Sequence, residues 1–135
     1  MTKPYGVEDA SFQAAGGQVG IGKLVDRFYE VMDELPDAQT IRAMHPDNLA
    51  VARDKLTLFL CGWLGGEKLF SKKYGSIMIP RAHAHLEIAE AERDAWLACM
   101  KIAVDEQDYE LDFRIYLMEQ LFVPAERCRQ ASQLQ

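Results

Sequence analysis

The chain has 135 residues, a length that suits one domain built on a single core. Apolar residues make up 49% and charged residues 27%, the balance of a folded globular protein rather than a disordered one. The formal net charge of −6 argues against a general nucleic-acid surface. The opening MTKPYGVEDA has no apolar signal run behind its lysine. The most apolar stretch, LTLFLCGWL, is too short to cross a bilayer. Cys61, Cys99 and Cys128 are widely spaced and form no CxxC pair, so they read as reduced, mostly buried thiols. These features predict a cytoplasmic protein without a membrane partner, occupying residues 1–135 as one domain.

In chain order, Val7–Ala15 predicts one or two helical turns, ended by Gly16-Gly17 in left-handed backbone angles. A helix follows over Val19–Leu35. Its apolar positions Ile21, Leu24, Val25, Phe28, Tyr29 and Met32 repeat as a single buried stripe, which puts a phenol among apolar neighbours. Pro36 opens a short helical turn, Asp37–Met44, and His45-Pro46 closes it with a bend, because the residue before proline avoids helical angles. Asp47 or Asn48 can cap the next helix, which runs to Leu64 with Leu49, Ala52, Leu56, Phe59, Leu60 and Trp63 on one face. Lys55 lies beside that face, where its stem can lean over a pocket edge with its head in water.

Gly65-Gly66 stops this helix, and EKLFSKKYGSIMIP reads as a loop with a short helical piece. Arg81–Leu86 is expected as a short helix carrying His83 and His85. Ile88–Val104 is a longer one with Ile88, Trp96, Cys99, Met100 and Ala103 along one side. The last helix, Asp108–Phe122, is expected to turn Leu111, Ile115, Met118 and Phe122 inward, to break or kink at Pro124, and to leave a frayed tail ERCRQASQLQ. No stretch alternates at period two, so the fold class is all-α.

Several chemistries fail on counting. No histidine has a glutamate three residues before it, as a carboxylate-bridged di-iron bundle requires. A zinc site needs three or four ligands, and His83 and His85, two apart, fall on different faces of any helix. No phosphate-binding glycine motif or nucleophile elbow is present. Two readings of the histidines remain open: hydrogen-bonded structural residues, or one imidazole holding a haem iron within apolar helices.

Several segments, in their order and spacing, point further. They are Gly16-Gly17 after a short first helix, LVDRFYEVMDELPDA with Phe28-Tyr29, IRAMHPDNL, KLTLFLCGWLGG, the loop glycine Gly75 and IAEAERDAWLACM. From about Ala15 to Ala103, and more weakly through the last helix, the chain resembles the truncated haemoglobins, in particular group II, the O type. The resemblance implies a truncated globin fold, a 2-over-2 helical sandwich around haem b. His83, eight residues after Gly75 and thirteen before Trp96, matches the proximal iron ligand. Tyr29 matches the distal tyrosine and Trp96 the group II tryptophan, both donors to a bound ligand. Ala52 and Leu56 would line the distal side, Phe28 and Phe59 would pack nearby, and His45 takes a corner position from which it can meet ligand or tyrosine, or be aimed at solvent by the bend before Pro46. In place of the group's cation before the ligand and Pro-Phe after it, the chain reads GSIMIPRAHAHLEI, so Arg81 or Lys55 would meet a haem propionate.

The function so implied is a b-type haem protein that binds dioxygen and related diatomic ligands. Peroxide or nitric oxide chemistry, driven by an unidentified reductant, is its enzymatic extension. The alternative is a haem-free globin-like helical module for interaction or sensing, motivated by the altered segment Ser76–Leu86.

Overall fold

A computed structural model describes residues 4–76, 83 and 85–133 of the chain. The short helix α1 (Ala10–Ala14) leads through Gly16, whose φ of 89° is open to glycine at little cost, into α2 (Gly17–Glu34). Along α2 the predicted stripe is buried: Ile21, Leu24, Val25, Phe28 and Met32 are sealed from solvent and Tyr29 is 5% exposed. Each side chain of this size stabilises the fold by about 1.5–3 kcal/mol when fully buried. Leu35 is extended ahead of Pro36 and ends the helix. The Gln39 amide then donates to the carbonyls of Met32, Asp33 and Leu35 at the helix end, at 3.3, 3.2 and 2.9 Å.

A 3₁₀ turn (Pro36–Ala38) and α3 (Gln39–Ala43) bring the chain to the His45 corner. Helix α4 (Ala50–Trp63) starts where the Asn48 side-chain oxygen accepts from the Ala50 N–H at 2.9 Å, so Asn48 supplies the capping oxygen. At its far end Gly65 (φ 99°) lies against the N-terminal segment so closely that a Cβ would fall 1.9 Å from the Glu8 carbonyl oxygen. Then come α5 (Leu69–Tyr74), α6 (Glu90–Asp105) and α7 (Leu111–Gln133). The Glu92 carboxylate accepts from the Ala89 N–H at 3.1 Å, which starts α6. Helix α2 packs against both α4 and α6, and α6 packs against α7. Among the described residues there is no strand, and no helix is long and apolar enough to cross a membrane.

Two expectations for the last helix are overturned. Of the four residues expected inward only Met118 packs against the core, while Leu111, Ile115 and Phe122 are 62%, 53% and 43% exposed and Phe113, Leu117 and Leu121 are about 1% exposed. Helix α7 carries two apolar stripes, and the one facing α6 and the N-terminal segment is the core stripe: Tyr5 and Tyr109 pack on Phe113 with ring centroids 5.1 and 5.2 Å away. Nor does Pro124 break the helix. It removes the N–H that would reach the carbonyl four residues back, yet α7 continues to Gln133 with Cys128 and Ser132 buried. Because Ile115 faces water, Ile115→Gln is expected to change unfolding free energy by no more than about 0.5 kcal/mol. A loss of several kcal/mol in denaturant unfolding would return this stripe to the core.

Cys61, Cys99 and Cys128 are free and buried. Burial pushes the thiols of Cys99 and Cys128 up to about 11, so they stay protonated and unreactive at neutral pH.

Candidate functional site

The elements enclose a cavity of about 730 Å³, within the range that holds a drug-sized or larger ligand. Its walls come from α2 through Tyr29, from the corner after α3 through Met44 and His45, and from α4 through Ala52, Lys55, Leu56, Phe59 and Leu60. Further walls come from Phe70 and Tyr74 of α5, from His83, His85, Leu86 and Ile88, from Glu92, Arg93 and Trp96 of α6, and from Leu121, Pro124, Ala125 and Cys128 of α7. A smaller cavity of about 220 Å³ lies between Trp63 and Tyr116 and has no imidazole on its walls.

The structure brings Tyr29, His45, Ala52, Lys55, Leu56, Phe59, His83 and Trp96 onto one surface. Phe28 does not line it. Its buried ring stands behind, 4.9 Å from the ring of Tyr29 and 5.1 Å from that of Trp96, and so braces both. Arg81 lies outside the described residues, as do residues 82 and 84 of the expected short helix. By His85 the helical turn has ended, so His85 also reaches the cavity rather than facing away from it.

Polar groups on these walls are few and specific. Burial pushes the Tyr29 phenol up to about 12, with Arg53 pulling slightly the other way, so the hydroxyl is a donor across the physiological range. Among the described residues, neither this O–H nor the Trp96 indole N–H is spent on a protein hydrogen bond. The corner that holds His45 is stapled by Arg42. That guanidinium pairs with the Asp33 carboxylate and donates to the carbonyls of Pro46 and Asp47, both at 3.1 Å. The His45 ring stands edge-on to Tyr29, with centroids 5.8 Å apart. Its Nδ1–H donates to the Ile41 carbonyl at 2.8 Å, which leaves Nε2 of the neutral ring as an acceptor.

Burial is the main cause that lowers the His45 pKa. Arg42 and His83 lower it further, while the bond to Ile41 opposes them. The unfolded chain therefore takes up this proton more readily than the native one. The contribution to stability is complete above the ordinary value of 6.5 and falls as the pH drops below it. His45→Gln is expected to flatten the decline of Tm below pH 6.5, and an unchanged slope would show that His45 is not the responsible group.

At the rim, the Lys55 ammonium sits 5.3 Å from the centroid of the Tyr74 ring. The Tyr74 hydroxyl donates to the Asp54 carboxylate at 2.5 Å, and Lys73 pairs with the same carboxylate at 2.7 Å. Sequence reasoning missed Tyr74, which no spacing singled out. It also missed the α7 wall, although Leu121, Ala125 and Cys128 recur at helical spacing.

The donor set decides what kind of metal centre fits. Among the described residues no three His, Cys, Asp or Glu side chains gather to hold a bare ion. A porphyrin brings four nitrogen ligands of its own and asks the protein for one axial imidazole, an apolar slot and cations for its carboxylates. His83, the apolar walls and Lys55 match that requirement.

The model of the bacterial-like globin family matches residues 10–123. The group 2 truncated hemoglobin YjbI of Bacillus subtilis (strain 168) is 32% identical over 117 residues, covering 87% of this chain and 86% of that protein. The group II 2-on-2 hemoglobin of Agrobacterium tumefaciens superposes with a TM-score of 0.83 at 35% identity, over 88% of this chain and 92% of that one. The truncated oxygen-avid haemoglobin of Bacillus subtilis gives a TM-score of 0.80 at 30% identity, over 87% and 97%.

Proposed function

Since this chain belongs to the bacterial-like globins and, within them, to the group II truncated haemoglobins, we propose that its cavity takes haem b through His83 and holds dioxygen or another diatomic molecule with Tyr29 and Trp96. One observation carries this reading: two unspent donors, a phenol O–H and an indole N–H, line an otherwise largely apolar cavity that also holds an imidazole. When bound, haem supplies an iron that accepts diatomic ligands and exchanges electrons.

The chain's own groups do the rest. A bound dioxygen would carry negative character, which fixed donors on largely apolar walls would stabilise without reorganising. Phe28 keeps the Tyr29 and Trp96 rings in place. His45, with Nδ1–H committed to Ile41, has no N–H left for a third donor at neutral pH and instead holds the Tyr29 ring by its edge-on contact, which keeps the phenol O–H for the ligand. Ala52 leaves room beside the donors, and Leu56 and Phe59 keep water out. Lys55 at the rim is the cation for a haem carboxylate.

Two donors converging on one small ligand favour retention and reaction over carriage. The relative from Bacillus subtilis described as oxygen-avid supports the same direction. The test is stopped-flow dioxygen release, combined with turnover of peroxide or nitric oxide in the presence of a reductant. Slow release with turnover is expected. Fast release and no turnover with either oxidant would reduce the protein to a reversible binder.

A further inference from the structure

We infer that Ser132, near the end of α7, is a positioning residue for the segment that carries His83. This rests on the haem reading above and extends it beyond residues 10–123, the stretch that the globin family model matches. Ser132 is only 8% exposed, and its hydroxyl is used twice: Oγ accepts from the Ile88 N–H at 2.9 Å and donates to the Leu86 carbonyl. Residues 85–89 belong to neither helix nor strand, so their backbone groups have no ladder to join. A hydroxyl can serve an N–H and a carbonyl at once, which an apolar side chain of any size cannot. The link to the ligand is short, since the Leu86 N–H donates back to the His83 carbonyl at 3.0 Å. Displacing Leu86 therefore displaces the turn that aims the imidazole.

The anchor is itself held. Ser132 closes the α7 stripe of Leu121, Ala125 and Cys128 that walls the cavity. Six residues earlier, Glu126 pairs with Arg93 of α6 at 3.0 Å and with Arg129 at 2.5 Å. These contacts also account for α7 continuing past Pro124.

The experiment compares wild type, Ser132→Ala and Ser132→Thr by three readouts. They are hydrogen exchange of the Ile88 amide, haem loss to an excess acceptor protein, and the ferrous iron–histidine stretching band. Ser132→Ala should unprotect the Ile88 amide, shift the band and speed haem loss about tenfold, which corresponds to about 1.4 kcal/mol. Ser132→Thr, which keeps the hydroxyl, should restore all three. Unchanged exchange, or unchanged haem loss and band in Ser132→Ala, would overturn the inference. So would a loss that Thr fails to rescue, since that marks a packing role alone. If wild type takes up no haem, the haem reading fails, and Ile88 exchange still decides whether Ser132 holds the segment.

Discussion

His83→Ala is expected to yield a protein that does not retain haem, whereas His85→Ala should leave the ferrous carbon monoxide spectrum nearly unchanged. Both imidazoles reach the cavity, so the distinction rests on how each is held. His83 is half-buried and its carbonyl is tied to Leu86, while His85 is exposed in the turn that follows. His45 is no substitute, because its ring is committed through Nδ1 to Ile41 and stands against Tyr29. Added imidazole should restore the spectrum of His83→Ala by filling the space left by the side chain. Haem kept by His83→Ala and lost by His85→Ala would reassign the ligand.

The second large effect concerns the donors. A hydrogen bond to a partly charged acceptor contributes about 1.5–3 kcal/mol. At about 1.4 kcal/mol per decade, Tyr29→Phe or Trp96→Phe should each speed dioxygen release by about tenfold to a hundredfold. Tyr29→Phe removes only the oxygen atom and keeps the ring against Phe28, so packing is spared. Carbon monoxide, less polar when bound, should respond less to either change. Equal responses of the two gases would mean that both side chains act by size. The buried phenol, pushed up to about 12, implies that the Tyr29 contribution persists through the alkaline range in which haem proteins are ordinarily measured.

Much of this site was legible in the sequence, because helical periodicity specifies which residues share a face and the resemblance to the truncated haemoglobins implied which of those faces meet at a site. The stripe through Phe28 and Tyr29, the run Ala52–Leu56–Phe59 and the position of Trp96 each follow from spacing, and they meet on or just behind one cavity. Pro46 marked the bend at His45, although the sequence left open whether its ring faced pocket or solvent. Tertiary contacts decided that point through Arg42, Ile41 and Tyr29. Helix α7 shows where the signal fails. Leu111, Ile115, Met118 and Phe122 form as good a stripe as Phe113, Leu117 and Leu121, and only the partners Tyr5 and Tyr109 select between them. The polar composition of the tail hid Ser132 for a related reason. A serine is buried when an irregular segment elsewhere needs both a donor and an acceptor, and nothing local to residues 125–133 announces that need.

The central claim is that this cavity is a haem site closed by a single protein ligand, and its most direct test is titration of the haem-free protein with haemin. The account predicts a sharp endpoint at one haem per chain with a Soret band. Reduction under carbon monoxide should then give the spectrum of a histidine-ligated globin, and His83→Ala should lose both. A titration without an endpoint, or one that His83→Ala leaves unchanged, would contradict it.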